Sequence, residues 1–588
     1  MTNPTRPLLA ALLVSLAGCS HPLRTTDDDR GLKIDPERLR SVKPMDFSRY
    51  ATGETVPAVA AAPAAADTPP NRAVTPPKPP DPFARAERVD VTLGQVRAWT
   101  LENNLDLKVA LIDPTISARQ LSEEEAKFEA VFFTTARYNS LDQPTSSTLS
   151  GSQVETTDFN TGVRVPLRTG GTVQLELPID RTKTDNQFST LNPAANVDAR
   201  FSISQPLLRG GWREANTHSI RIQALESQIV QSRTNLEVIR QVAAADRAYW
   251  RVYAAKRLLE VRQDQYDLAR EQLERAERRV RAQVAPEIEV TRAQSGLAER
   301  LEAIILSEND YRRQVRDLKR IVRVPGVDLD SPTLLQPASP PDPVELKLEG
   351  SMLTAAALEN RMEMLELELQ LAQDISSIRF AENQALPLFT VDYFYNINGL
   401  GSSITEAARQ TRGGDFADWG ASINFETPIG NMAARSRTEQ AILRRLQRLA
   451  TREARETSIR QEVLDALDAL NASWQRILAA RQASILAGRT LQGEQKQFDV
   501  GNRTSTDVLD AATRLADAQA SEIRALTDYQ VAQVDLAFAT GTLMGATRVS
   551  WEPSDPRKGI PSANPIAPTS STRPDSAAPE SADPASNP

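Results

Sequence analysis

The chain has 588 residues, 40% hydrophobic and 25% charged, with a formal net charge of −8; this is ordinary for a folded chain and runs against nucleic acid, which wants a basic face. One cysteine, Cys19, and two histidines, His21 and His218, allow no intrachain disulfide and too few ligands for a Cys/His zinc site, and no nucleophile elbow accompanies the histidines. Without a Walker loop or a dinucleotide glycine fingerprint, neither cofactor nor metal is expected, and a carboxylate-only site is the one enzyme reading left open.

At the N-terminus, Arg6 precedes the apolar run from Pro7 to Ala17. That is the length of a signal-peptide core and too short to span as a retained helix. The run closes on Leu16-Ala17-Gly18-Cys19, which resembles the lipobox of bacterial lipoproteins. The resemblance implies a signal peptide over 1–18 and acylation of Cys19, several acyl chains giving stable anchoring where one would be marginal. Ser20, rather than Asp, follows the cysteine and implies an outer-membrane address. The plainer reading is a secretory leader with an incidental cysteine. The small residues before Cys19, at the boundary of the apolar run, favour the lipobox. Residues 51–82 are Ala- and Pro-rich, so 19–87 reads as an anchored segment with a linker, and 551–588 as a disordered Pro/Ser/Ala-rich tail.

Between these ends the chain is duplicated, over 88–335 and 336–550. Leu101-Glu102-Asn103 recurs as Leu358-Glu359-Asn360, Ile239-Arg240-Gln241 as Ile459-Arg460-Gln461, and Asp310-Tyr311 as Asp528-Tyr529. The matches keep their order, which predicts one helix–strands–long helix–helix unit used twice. From about Arg213 to Gln283 there is neither Pro nor Gly. Leu225, Ile229, Ser232, Leu236, Ile239, Ala243, Asp246, Trp250 and Tyr253 step by fours and threes, a heptad seam with polar interruptions. Ile459, Val463, Leu467, Leu470, Trp474 and Ile477 repeat it. About 70 residues of helix would reach on the order of 100 Å, which suits a rod crossing a wide compartment.

The strand runs are Val131–Tyr138, Asn160–Pro166, Thr172–Ile179, Val197–Ser204, Leu388–Ile397 and Trp419–Phe425. They alternate with period two and collect Phe, Tyr and Trp, as membrane barrel strands do. A soluble β-domain set in a coiled coil is the plainer reading. One chain has too few strands to close a transporting barrel, and open edges cannot face lipid, so strands in a membrane require oligomerisation. The fold expected is mainly α with membrane β-strands.

Val500-Gly501-Asn502-Arg503-Thr504-Ser505-Thr506-Asp507-Val508-Leu509-Asp510-Ala511, followed by Leu515, Ala518, Asp528-Tyr529 and Gly541-Thr542-Leu543, resembles the periplasmic-tip signature of the TolC-like outer-membrane efflux proteins. Gln205-Pro206-Leu207-Leu208-Arg209-Gly210 is similar to that family's strand-to-helix junction. The resemblance covers about 88–549. It implies a homotrimer with a shared outer-membrane barrel over a periplasmic helical tunnel, a passive conduit for an efflux pump or type I secretion system. It implies four barrel strands per chain, where the runs here allow six. Asp507 and Asp510, three apart on one helical face, correspond to acids lining the entrance; by themselves they read equally as complements to a helix dipole. Thr504 or Ser505 can cap that helix. Arg503 corresponds to a latch pairing with an acid of the other repeat, at Glu287, and Phe498 to a supporting aromatic that here lacks a hydroxyl. Pro286 stands where a hydroxyl residue is usual. A periplasmic adaptor, coupled to an inner-membrane pump, is expected at the tips, around Gly501 and Asn502 and around Ala285 and Pro286. The competing class is a lipid-anchored periplasmic coiled-coil scaffold or adaptor with no pore, which shares the heptads and the lipobox.

Overall fold

A computed structural model describes residues 87–146 and 151–547. The expected signal peptide, Cys19, most of the 19–87 segment and the 551–588 tail lie outside the described residues.

Strand β1 (Arg88–Val91) leads into helices α1 (Leu93–Asn103), α2 (Leu105–Ala110) and α3 (Asp113–Ala126). Five strands follow: β2 (Val131–Asp142), β3 (Gln153–Pro166), β4 (Thr172–Thr184), β5 (Ala194–Val197) and β6 (Ala199–Pro206). A single turn, α4 (Arg213–Asn216), precedes the long α5 (His218–Arg281), and α6 (Ile288–Val322) returns antiparallel to it. Strand β7 (Leu334–Pro337) lies at the junction, and the second repeat continues with α7 (Gly350–Asn360), α8 (Met362–Gln384), β8 (Leu388–Ile397), β9 (Leu400–Gly401), α9 (Ile404–Gly413), β10 (Ala417–Glu426), the long α10 (Met432–Asp499), α11 (Ser505–Ala539) and α12 (Leu543–Ala546).

The repeat is physical as well as textual. Both Leu-Glu-Asn triplets end a helix: α1 stops at Asn103 and α7 at Asn360. Asn104 then caps α2, its Oδ1 accepting from the Leu107 amide at 2.8 Å while its Nδ2 donates to the Ile321 carbonyl at 2.9 Å. The paired tyrosines are both buried, Tyr311 donating to the Leu335 carbonyl at 3.4 Å and Tyr529 to the Val344 carbonyl. Each repeat thus pins its returning helix to the extended stretch between repeats.

At 1.5 Å per residue the 64 residues of α5 span about 96 Å and the 68 of α10 about 102 Å. The seam read from the sequence is largely buried, including Ile229, Ile239, Ala243, Asp246 and Trp250. A second buried stripe, Val238, Val242, Ala245, Tyr249 and Val252, runs beside it, because α5 packs against α6, α8 and α11 rather than one partner. Asp246 interrupts the seam for a reason: its carboxylate is fully buried and meets the Arg97 guanidinium of α1 at 2.7–3.1 Å. Burial pushes its pKa up, against the hydrogen bonds and charge of Arg97.

The long strands form one antiparallel sheet in the order β10-β8-β6-β4-β3-β2, with β5 joined to β4 and β9 beside it. Six long strands therefore lie on the path, not four. The run predicted from Val197 to Ser204 is interrupted at Asp198, whose amide turns to the Pro178 carbonyl at 3.0 Å. The far-end elements β5, β9 and α9 have no counterpart in the sequence reading, although Ser403, which caps α9, and Gly414, at φ 72 after it, mark that helix's limits.

Candidate functional site

Two helical hairpins end side by side, one per repeat. Helix α10 closes with a Schellman turn: the Asn502 amide donates to the Gln497 carbonyl at 2.9 Å and the Gly501 amide to Phe498 at 3.0 Å. Gly501 holds φ 84, which the absence of a Cβ makes easy. Helix α5 ends on the same turn, Val284 to Arg279 at 3.0 Å and Gln283 to Val280 at 2.9 Å. There the left-handed position, φ 58, falls to Gln283, at a cost of about 1 kcal/mol. Pro286 follows and blocks continuation of the helix. Glu287 is exposed beside it, and Ala285 is half-buried.

Thr504, not Ser505, caps α11. Its hydroxyl and amide both donate to Asp507 at 2.9 Å, and the Asp507 amide returns to the hydroxyl at 3.4 Å, a reciprocal capping box. These bonds, the backbone one first, hold the Asp507 carboxyl below the usual aspartate range, and the Arg503 charge acts in the same direction. Asp507 is half-buried at the helix start, and Asp510, one turn on, is exposed. The two acids share a face but not a task.

The contacts between the repeats differ from the expected latch. Arg503 pairs with Glu494 of its own hairpin at 3.1 Å, and among the described residues no ion pair joins it to Glu287. The link to the other repeat is made two residues later: Glu289 accepts from the Ser505 amide at 3.3 Å and from its hydroxyl, and pairs with Arg292 at 3.1 Å. Phe498 is buried among Leu491, Val508 and Ala512, with the Arg279 guanidinium 4.8 Å from its ring centroid. A cation–π contact across repeats thus engages a ring that has no hydroxyl to donate. Further up, Arg300 donates to the Thr513 hydroxyl at 2.7 Å. Sequence reading missed Arg279, Glu289, Arg300 and Glu494. Glu289 carried a signal, an acid in the first turn of α6; the arginines stand among many others.

The sheet at the other end sorts its residues by face. On one face Phe159 lies opposite Ile179, Leu175 opposite Phe201, Ile203 opposite Tyr393, and Tyr395 opposite Trp419. On the other, Asp158 faces Asp180, Glu176 faces Arg200, Arg200 faces Asn396, and Asp392 faces Ser422. Two phenylalanines break the polar face, each lying over a glycine with an arginine beyond. Phe133 stands opposite Gly162 with Arg164 5.4 Å from its centroid, and Phe394 opposite Gly420 with Arg200 at 5.2 Å. A Cβ on Gly162 would meet the Phe133 ring at 2.8 Å, and one on Gly420 the Phe394 ring at 2.5 Å. A broad band of exposed aromatic and aliphatic side chains on one sheet face is unstable in water. An apolar outside and a polar inside is the arrangement of a membrane barrel.

Among the described residues no helix is long and apolar enough to cross a membrane, and no group of three His, Cys, Asp or Glu side chains is placed to hold a metal.

A family model described as "Outer membrane efflux protein" matches residues 172–322 and 353–542. The chain is 28% identical over 357 residues to the outer membrane protein TolC of Vibrio cholerae serotype O1, covering 59% of this chain and 77% of that one. It is 30% identical to TolC of Escherichia coli K12 over 189 residues, 30% of this chain and 37% of that one. Among solved structures, the CmeC outer membrane channel of Campylobacter jejuni aligns with a TM-score of 0.59 at 16% identity, over 77% of this chain and 86% of the other. The open state of the Neisseria gonorrhoeae MtrE outer membrane channel aligns at 0.54, also at 16% identity, over 77% and 89%.

Proposed function

The chain belongs to the outer membrane efflux protein family and is a subunit of an outer-membrane channel for efflux or secretion, and we propose that the paired helical tips are its gate, opened when a periplasmic adaptor docks on them. The channel is a homotrimer that works with an adaptor and an inner-membrane pump. The observation that carries the channel reading in this chain is the sorted sheet, apolar on one face and polar on the other, continuous with helices about 100 Å long. A scaffold without a pore has no use for such a sheet.

The helices ask for copies as well. On α10, Leu464, Leu478 and Ile485 are exposed at heptad spacing in the single chain, a seam left for a neighbour.

At the gate, three copies bring Asp510 together as a ring of carboxylates favouring cations, while Asp507 mainly secures the helix start. Glu289–Ser505 and Arg279–Phe498 hold the two hairpins of one chain together. An adaptor opens the gate only by binding the open form better, and the exposed turn residues Gly501, Asn502 and Pro286, with Ala285 beside them, offer it a surface. Cys19 is the proposed lipid attachment, in addition to the barrel. Native mass spectrometry of the detergent-extracted protein tests the assembly and the anchor together. Trimers of subunits that begin at Cys19 and carry acyl mass are expected. Unacylated monomers released without detergent would sink both.

A further inference from the structure

We propose that β2 of one copy pairs antiparallel with β10 of the next, so that the trimer closes a barrel of eighteen strands, six from each chain; this rests on the trimeric channel reading. The two repeats contribute unequally. The second supplies β8 and β10, whereas the first supplies β2, β3, β4 and β6. The hairpin β2–β3 precedes residue 172, where the family match begins.

Three observations support the closure. The end strands run in opposite directions, since every step of the path from β10 to β2 is antiparallel and five steps separate them. An antiparallel joint between copies follows without reversing either strand.

The apolar face is also incomplete at its ends. Phe132 and Tyr138 on β2, and Trp419, Ile423 and Phe425 on β10, are between 62% and 70% exposed, whereas Phe201, Tyr393 and Tyr395 in mid-sheet are 37–39% exposed. The difference is the missing lateral neighbour. In lipid, a free strand edge would leave its amides and carbonyls without partners.

The stagger of the sheet fits as well. Followed rung by rung, Gly420 pairs with Phe394, Phe394 with Ser202, Ser202 with Gln174, Gln174 with Arg164, and Arg164 with Val131. Val131 begins β2 at the end nearest the helices, but Gly420 stands six residues short of Glu426, which ends β10 on that side. A level rim places Val131 beside Glu426 of the next copy. Each chain then adds a stagger of six residues over six strands. With strands about 4.8 Å apart and a rise of about 3.4 Å per residue, that tilts the strands by about 35°, within the range of membrane barrels. The backbone wall is then about 34 Å across, half as wide again as twelve strands at the same tilt.

This register sets Phe132 opposite Phe425, Ala136 opposite Ala421 and Tyr138 opposite Trp419, all on the outer face. The test is the full-length double variant Ala136→Cys with Ala421→Cys, oxidised in the outer membrane and run on a non-reducing gel. Each single-cysteine variant controls for the native thiol of Cys19. Covalent trimers are expected. Ala136→Cys with Ser422→Cys, whose second thiol points inward, should give none. Linking through Trp419→Cys or Ile423→Cys instead would keep the closure and move the register by two residues. Trimers by native mass spectrometry that form no disulfide at any of the three positions, with twelve strands in an electron cryomicroscopy cross-section, would overturn the inference and leave the channel reading standing. Absence of trimers would overturn both.

Discussion

Asp507 and Asp510 are three residues apart, yet the structure gives them different work. Asp507 accepts two hydrogen bonds from Thr504, so its charge is engaged in holding a helix end; Asp510 is exposed. Asp510→Asn should therefore reduce cation preference in planar bilayers more than Asp507→Asn does, and equal effects would argue against the division. Because the Asp507 carboxyl is held low, its contribution is complete above the unfolded value and is lost as the pH falls through the lower folded value. Hydrogen exchange in the first turn of α11 should stay slow down to about pH 4 and quicken only below it. Protection lost near neutral pH would point to another group. At the first tip Gln283 occupies a left-handed position, and Gln283→Gly should stabilise that turn by about 1 kcal/mol, seen as slower amide exchange there. Asp246 is the costly residue of the helical seam: Arg97→Ala would leave a buried carboxylate without its guanidinium, a loss of about 3 kcal/mol that should lower the thermal midpoint of the detergent-solubilised protein.

At the level of elements, the long helices and six strands were legible because their periods are local. The steps of α5 and the alternation of Leu388–Ile397 depend only on which side is covered. The second buried stripe of α5 was not legible, since its cover lies far along the chain: Val242 clusters with Val534 and Leu543, and Ala245, Tyr249 and Val252 with Val91, Val96 and Leu318. The latch failed for a similar reason. Whether Arg503 reaches Glu287 or Glu494 depends on how two hairpins lie side by side, which spacing does not encode. Phe133 and Phe394 were read as part of the aromatic content of strands, but only pairing reveals the glycines beneath them. Gly162→Ala and Gly420→Ala should each displace a phenylalanine ring and its arginine, lowering the yield of assembled trimers; a normal yield would mean that the rings move at little cost. The exposed heptad of α10 makes the complementary prediction. Leu478→Glu with Ile485→Glu should shift native mass spectra from trimer toward monomer, with far-ultraviolet circular dichroism unchanged.

For the whole molecule, the two ends of the channel are built to different counts: the repeats match in their long helices and differ in their strands. Water and ions cross these parts one after the other, like current through resistors in series, and the resistance of each part rises with its length and falls with its cross-section. A ten-residue strand spans about 34 Å and the helices about 100 Å. On length alone the helical section dominates, so two added strands per chain change total conductance little. Widening the mouth therefore does not raise throughput. It shortens the stretch over which a bulky cargo is confined and lets whatever has cleared the tunnel spread before it reaches the surface, leaving selection at entry to the gate proposed at the helical tips.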